Sequence, residues 1–263
     1  MSIFKYQSLF IISIFLFLPL QLKADTLIIA VASNFAPILE ELVEDFESLY
    51  AGSKLVLVSG SSGKAYAQIK HGAPFDMFMS ADQDKPSRLV KEGLAHPESL
   101  FTYALGRLVL WSADPKLISS SNDVLEKGAF HKIALANSKL APYGLASEQV
   151  LQALGLLRTY RSKWVQGENI AQTYQFVKTK NADLGFISKS QVWKNNNLVS
   201  GSAWVIPEHL YSPIQQDAVV LKASKNHELA NKVIRFLKSA DTRHKIESYG
   251  YQSTENSNIE GVH

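Results

Sequence analysis

The sequence predicts an α/β protein built as two lobes that are joined by two extended segments. Short apolar runs, typical of strands buried on both faces, alternate with amphipathic helical segments. The alternation occurs in two blocks, and extended segments near 101–111 and 214–221 join them, which indicates a two-strand hinge. The β-α-β-α order within a block favours a parallel sheet covered by helices.

The first block opens with a continuous apolar run at 27–32, as expected of a central strand. Residues 36–50 place apolar side chains at helical spacing on one face and five acidic side chains on the other, which predicts an amphipathic helix. The remaining segments of this block are predicted strands at 54–58 and 76–79 and predicted helices at 64–70 and 85–92.

The second block follows the extended segment at 101–111 and continues the alternation. Its predicted strands lie at 132–136, 164–165, 183–187 and 204–206, and its predicted helices at 146–154 and 171–180. The second extended segment, with a predicted strand at 217–221, then leads to predicted helices at 228–238 and 242–248. We therefore assign residues 25–104 together with 218–263 to the first lobe and residues 105–217 to the second lobe. The polar residues 253–263 are expected to be frayed.

The first 24 residues have the pattern of a secretory signal peptide. Lys5 precedes an apolar run at 9–22, and the small residue Ala24 stands at the expected cleavage point before Asp25. The run is too short for a comfortable membrane span, although an uncleaved anchor is the alternative. No cysteine follows the run, so a lipoprotein anchor is excluded. We expect an exported, soluble protein.

Composition excludes several classes of function. The absence of cysteine excludes a disulfide scaffold, a thiolate zinc site and a cysteine nucleophile. The formal net charge is +3, and removal of the signal peptide with Lys5 and Lys23 leaves 25 basic against 24 acidic residues. No excess of basic charge therefore points to nucleic acid. The seven histidines are scattered without a pair at helical spacing, so no site for a free metal cation is expected.

Four predicted strand-to-helix junctions are rich in small and polar residues. They are 31–35 (VASNF), with Ser33 or Asn34 as the expected helix N-cap, 59–63 (SGSSG), 141–144 (APYG) and 167–170 (GENI). A helix N-terminus offers free backbone N–H groups and a partial positive charge, so several such ends around one cleft can bind an anion. The residues at these junctions predict a binding site in which neutral donors hold a small, fully deprotonated oxyanion. Ordinary helix capping is the alternative, and composition and spacing leave both open.

Several motifs together resemble the molybdate-binding periplasmic proteins of ABC importers. They are ASNF at 32–35, GSSGK at 60–64, GAPFD at 72–76 with SAD at 80–82, LAPYG at 140–144, and YGY at 249–251. The resemblance covers nearly the whole chain after residue 24. It implies the type II periplasmic binding protein fold, in which two lobes with mixed sheets are joined by two crossing strands and close on the ligand.

The resemblance also implies the ligand and its binding residues. The ligand would be molybdate or tungstate, bound with no cofactor by a monomer in the periplasm and passed to the membrane permease of an ABC transporter. The matching binding positions are Ser33, Asn34, Ser61, Ser62, and the backbone N–H groups of Tyr143 and Ile170. One branch of the family uses a tyrosine at the position of Ser188; because Tyr143 is present, we do not expect Ser188 to bind the ligand.

Other polar residues have simpler interpretations. Lys64 is expected to be a solvated residue of the first helical turn, and Asp76 and Asp82 to act in capping or packing, because carboxylates would repel an anion. The GSSG segment lacks the spacing of a nucleophile elbow, and Ala65 stands where a P-loop needs Ser or Thr, so we do not expect an enzyme. The alternatives are a binding protein for another oxyanion such as sulfate, an anion sensor, and a secreted hydrolase.

Overall fold

The computed structural model describes residues 25–119 and 121–252 and contains two five-stranded mixed sheets, each flanked by helices. This architecture confirms the predicted two-lobed α/β fold. The predicted signal peptide at 1–24 and the polar residues 253–263 lie outside the described residues. Within the described part of the chain, no helix is both long enough and apolar enough to cross a membrane.

The first lobe, as the name is used below, is the sheet formed by both ends of the described chain, with its helices. Its strands are β1 (Asp25–Ala32), β2 (Ser53–Gly60), β3 (Met77–Met79), β4 (Phe101–Gly106) and β12 (Ile214–Val220). They lie in the order β2-β1-β3-β12-β4; β1, β2 and β3 are parallel and β12 is antiparallel to its neighbours. Its helices are α1 (Ala36–Leu49), α2 (Ser62–Lys70), α3 (Asp84–Lys91), α7 (His227–Leu237) and α8 (Ala240–Ser248).

The second lobe is the sheet formed by the middle of the chain, with its helices. Its strands are β5 (Leu108–Ser112), β6 (Ile133–Ala136), β7 (Trp164–Gly167), β8 (Leu184–Ser188) and β11 (Ser202–Val205), in the order β11-β5-β8-β6-β7. Its helices are α4 (Asp123–Lys127), α5 (Pro142–Ala153) and α6 (Ile170–Lys178). A hairpin of β9 (Trp193–Lys194) and β10 (Asn197–Leu198) lies outside the sheet.

The central strand β1 is packed on both faces, as the apolar run at 27–32 predicts. Leu27, Ile29 and Val31 pack in one apolar cluster with residues of α1, α7 and α8. Ala30 points to the opposite face and packs with residues of α2 and α3. A strand buried on both faces must be apolar at consecutive positions, which explains the continuous pattern of β1.

The long extended segment predicted at 101–111 is two strands in two different sheets. β4 ends at Gly106 and β5 begins at Leu108, so the chain crosses between the lobes at Arg107, and it returns between β11 and β12. β4 and β12 pair with each other as far as Gly106 and Ile214. The first sheet therefore extends past the predicted lobe boundaries at 104 and 218, and these two strands form the connection beside the cleft.

Several helices begin earlier than the sequence pattern predicts, among them α2 and α5 at the second and third junctions. α2 begins at Ser62 rather than 64, and α5 begins at Pro142 rather than 146. Proline fits the first turn of a helix because it needs no hydrogen bond there and its φ is already helical. The junction residues 142–144 are therefore part of the helix. The sequence analysis also missed α4 and the β9–β10 hairpin, which are too short to show a clear apolar period.

Candidate functional site

A small cavity lies between the two lobes, where β1, β2, β6 and β7 end and α1, α2, α5 and α6 begin. The cavity is tight, with about 10 Å³ open to the centre of a water molecule. The lining residues come from both lobes; they are Ala32, Ser33, Asn34, Gly60, Ser61, Ser62, Ala81, Ala141, Pro142, Tyr143, Asn169 and Ile170. The structure therefore brings together all four predicted junctions and all six predicted binding residues.

The first junction differs from the prediction in its helix cap. The N-cap of α1 is Phe35, without a side-chain capping bond, so the assignment of Ser33 or Asn34 as N-cap was wrong. The physical reason is that Asn34 uses its side chain elsewhere. Its amide nitrogen donates to Gln216 Oε1 at 2.9 Å and to the Tyr251 hydroxyl at 3.0 Å. These tertiary bonds replace the local cap.

This arrangement determines which groups of the first junction can meet an anion. An amide nitrogen has two N–H groups, and both of those of Asn34 are occupied, so the Asn34 side chain has no donor left for a ligand. The backbone N–H of Asn34 remains. The Ser33 hydroxyl has no hydrogen-bond partner within residues 25–119 and 121–252. The Ser33 backbone N–H donates to Gly60 O at 2.9 Å, which holds the first two junctions side by side.

The second junction places two serines at the start of α2. Ser61 is the N-cap, and its hydroxyl accepts a hydrogen bond from the Lys64 backbone N–H at 3.4 Å. Ser62 is buried, and its hydroxyl accepts from the Ala81 backbone N–H at 2.9 Å. A serine hydroxyl that accepts in this way keeps its own proton available to donate. The Ala81 N–H therefore orients the Ser62 hydroxyl as a donor at the cavity.

The third and fourth junctions contribute backbone N–H groups. Tyr143 is the second residue of α5, and Ile170 is the first residue of α6. The first N–H groups of a helix have no partner within the helix, and they carry its partial positive charge. The Asn169 side chain caps α6 by accepting from the Gln172 N–H at 3.0 Å, which leaves the N–H of Ile170 uncapped at the cavity wall.

None of the twelve lining residues has a charged side chain. Lys64, which follows the second junction, is not a lining residue. It forms an ion pair with Glu168 at 3.1 Å and its side chain is half exposed, consistent with the prediction of a solvated residue. Helix N-termini and hydroxyls alone provide the positive potential of the cavity. Such a site suits an anion that needs only donors and carries no proton.

Tyr143 and Ser188 form a hydrogen bond outside the cavity lining. The Ser188 hydroxyl donates to the Tyr143 hydroxyl at 2.9 Å, and Gln216 Nε2 donates to the same oxygen at 3.2 Å. Burial raises the pKa of the Tyr143 hydroxyl well above its usual value. The Tyr143 side chain therefore anchors α5 through this network; Tyr143 is among the residues that line the cavity, and Ser188 is not.

The two aspartates that flank β3 have structural roles, as predicted. Asp76 accepts from the Ile28 N–H at 2.7 Å and from the Ser224 hydroxyl at 2.8 Å. Asp82 accepts from the Lys85 N–H at 3.1 Å at the start of α3 and pairs with the Lys85 ammonium. Among the described residues, no group of three or more histidine, aspartate or glutamate side chains could hold a metal ion.

The sequence analysis missed Gln216, which lies fully buried in β12 below the cavity. Its Oε1 accepts from Asn34 Nδ2 and from the Tyr103 hydroxyl at 3.0 Å, and its Nε2 donates to Tyr143. Gln216 thus links the first and third junctions across the lobes. The one available signal was the run of polar residues Gln215, Gln216 and Asp217 between apolar residues of the extended segment at 214–221.

The fold and the site define a two-lobed protein that can enclose a small ligand between uncharged donors. The chain belongs to the family of bacterial extracellular solute-binding proteins, whose model matches residues 27–252. It is 45% identical over 223 residues to the molybdate-binding protein ModA of Azotobacter vinelandii, covering 85% of this chain and 88% of that protein.

A second relative and one solved structure agree with this assignment. The molybdate-binding protein ModA of Rhodobacter capsulatus is 42% identical over 234 residues, covering 89% of this chain and 91% of that protein. The structure of the Azotobacter vinelandii periplasmic molybdate-binding protein superposes with a TM-score of 0.84 at 38% identity, covering 86% of this chain and 99% of that chain.

Proposed function

We propose that this protein captures molybdate, and tungstate equally well, between its two lobes in the periplasm and delivers it to the permease of an ABC importer. The observation that carries this proposal is the uncharged cavity at which four helices begin, two from each lobe. The similarity to two molybdate-binding proteins supports the choice of anion. The protein acts as a monomer, without a cofactor and without catalysing a reaction.

The proposed donors are the hydroxyls of Ser33, Ser61 and Ser62 and the backbone N–H groups of Asn34, Tyr143 and Ile170. Together they offer hydrogen-bond donors and no carboxylate. A monoprotonated phosphate would bring an O–H group that finds no carboxylate to accept it here, and an unpaired buried polar group costs about 1–3 kcal/mol. This cost would select against phosphate.

The size of the anion would determine whether the cavity binds sulfate, molybdate or tungstate. Sulfate and molybdate are both tetrahedral dianions, but molybdate has longer bonds to oxygen and would fill a larger cavity. Molybdate and tungstate are nearly equal in size, so this cavity would bind them almost equally. Hydrolysis is not part of the proposal, because the Ser62 hydroxyl meets a backbone N–H of Ala81 rather than a general base.

Thermal unfolding of the protein with molybdate, tungstate, sulfate or phosphate tests the proposal. At a ligand concentration about 1,000 times the dissociation constant, binding stabilises the folded state by about 4 kcal/mol. At 2–4 °C per kcal/mol, the midpoint should rise by roughly 8–16 °C with molybdate and with tungstate. Sodium chloride at matched ionic strength is the control. A higher midpoint with sulfate instead would contradict molybdate as the ligand. An unchanged midpoint with all four anions would contradict the proposed function.

A further inference from the structure

Of the contacts that join the lobes beside the cavity, two come from the residues that follow Ser62. The Gly63 N–H, in the first turn of α2, donates to the backbone oxygen of Leu140 in the second lobe at 2.9 Å. The Lys64 ammonium forms the 3.1 Å ion pair with Glu168, which precedes α6 in the second lobe. Neither contact can persist when the lobes move apart.

The contact at Gly63 depends on the absence of a side chain. A Cβ atom at this position would lie 3.0 Å from Leu140 Cα and 3.1 Å from Leu140 O. Both are backbone atoms, so they cannot turn away as a flexible side chain would. A side chain at residue 63 would therefore push the Leu140 backbone away by a few tenths of an ångström, and glycine lets the two lobes approach without that shift.

The ion pair spans the cleft at the surface. Lys64 and Glu168 side chains are 54% and 43% exposed. The Glu168 backbone N–H donates to Gln172 Oε1 at 2.6 Å, so the residue is held at the start of α6. Its carboxylate meets the lysine and thereby neutralises the charge next to the anion cavity. An exposed pair of this kind contributes little to folding, but its energy is lost whenever the cleft opens.

We propose that Gly63–Leu140 and Lys64–Glu168 form a clasp that sets how slowly the bound anion leaves the closed protein. This inference rests on the proposed function. The clasp residues are not among those lining the cavity, so they act as positioning residues through the closed arrangement of the lobes. Because both contacts must break before the anion can escape, the clasp acts on the dissociation rate.

The experiment measures the release of radiolabelled molybdate from preloaded protein after a chase with unlabelled molybdate. Lys64→Ala and Glu168→Ala should each speed release about twofold to fivefold, the range of an exposed ion pair. The double variant should be no faster than either single variant. The exchange variant Lys64→Glu with Glu168→Lys should restore slow release. Raising the salt concentration should speed release from the wild type but not from the double variant.

The matched control is Lys70→Ala on the same helix. Lys70 pairs with Glu92 at 3.2 Å with similar exposure, but both residues belong to the first lobe. This variant should release molybdate at the wild-type rate. Release at the wild-type rate from Lys64→Ala and Glu168→Ala would overturn the ion-pair half of the clasp, and acceleration by Lys70→Ala would show that the effect is not specific to the cleft.

Gly63→Ala tests the backbone half of the clasp. Alanine is favoured over glycine within a helix, so the ligand-free protein should unfold at the same or a higher temperature. Release should nevertheless be about fivefold faster, because the added methyl group displaces the Leu140 backbone and weakens the Gly63–Leu140 contact of the closed state. A wild-type release rate would contradict this part of the proposal. A wild-type protein that retains no molybdate at all would instead overturn the proposed function.

Discussion

Ser62 and Ser33 offer hydroxyl donors to the cavity from different surroundings. The Ser62 hydroxyl is already oriented by the Ala81 N–H, whereas the Ser33 hydroxyl has no partner within the described residues. Removing the Ser62 hydroxyl would also leave the Ala81 N–H without its acceptor. Loss of the Ser62 hydroxyl should therefore affect both ligand binding and folding stability, whereas loss of the Ser33 hydroxyl should affect ligand binding alone.

We expect Ser62→Ala and Ser33→Ala each to weaken molybdate binding by about 1–3 kcal/mol, because each loses a hydrogen bond to a charged partner. Titration calorimetry measures this loss. Ser62→Ala should also lower the free energy of unfolding in urea without ligand, and Ser33→Ala should not. The control is Ser48→Ala, on the exposed face of α1. Wild-type affinity in both variants would remove these serines from the site.

At the scale of elements, the start of α5 is pressed against the end of β6. A Cβ atom on Gly144 would lie 2.4 Å from the carbonyl oxygen of Ala136. Glycine at this position lets the first turn of the helix approach the strand closely. The preceding residue, Tyr143, consequently lies at the cavity, where its N–H is a proposed donor. The position of this donor depends on how the helix packs on the sheet.

Gly144→Ala should therefore displace α5 and move the Tyr143 N–H away from the anion. We expect the free energy of unfolding to fall by about 1–3 kcal/mol, the usual cost of overpacking. Molybdate affinity should fall as well, since a donor is misplaced. Leu145→Ala is the control, because its side chain is half exposed on the same turn. Gly144→Ala with the stability and affinity of the wild type would contradict this account.

At the scale of the whole molecule, a buried network of polar side chains links the two lobes through a crossing strand. Gln216 in β12 connects Asn34 and Tyr103 of the first lobe to Tyr143 of the second. Burial raises the pKa values of the Tyr103 and Tyr143 hydroxyls well above their usual range. Both tyrosines therefore stay protonated in the folded protein under alkaline conditions.

This network predicts sensitivity to alkaline pH. Above about pH 10 the unfolded chain releases the tyrosine protons while the folded chain retains them, so the free energy of unfolding falls as the pH rises. Each such tyrosine contributes a slope of about 1.4 kcal/mol per pH unit. Urea unfolding between pH 9 and about pH 11 measures the slope. Tyr143→Phe should make it shallower, and Tyr50→Phe, outside the network, should not. Equal slopes in wild type and Tyr143→Phe would contradict the prediction.

Much of the site was predictable from local patterns. The four junctions were recognised because glycine, serine, asparagine and proline mark the ends of strands and the starts of helices over a few neighbouring residues. The predicted lobe boundaries at 104 and 218 fall inside β4 and β12. The ends of these two strands depend on their pairing with each other, which local sequence patterns do not show. The order of elements followed from apolar periodicity, which is also local.

Local patterns in the sequence were sufficient for the α/β fold class, the two lobes and the residues that surround the cavity. The partners of the buried side chains and the contacts between the lobes emerged only from the packing of the whole chain. Asn34 illustrates the reason: its side-chain partners Gln216 and Tyr251 lie 182 and 217 positions away along the chain. Contacts at such separations depend on how whole lobes pack, and no pattern of neighbouring residues records them.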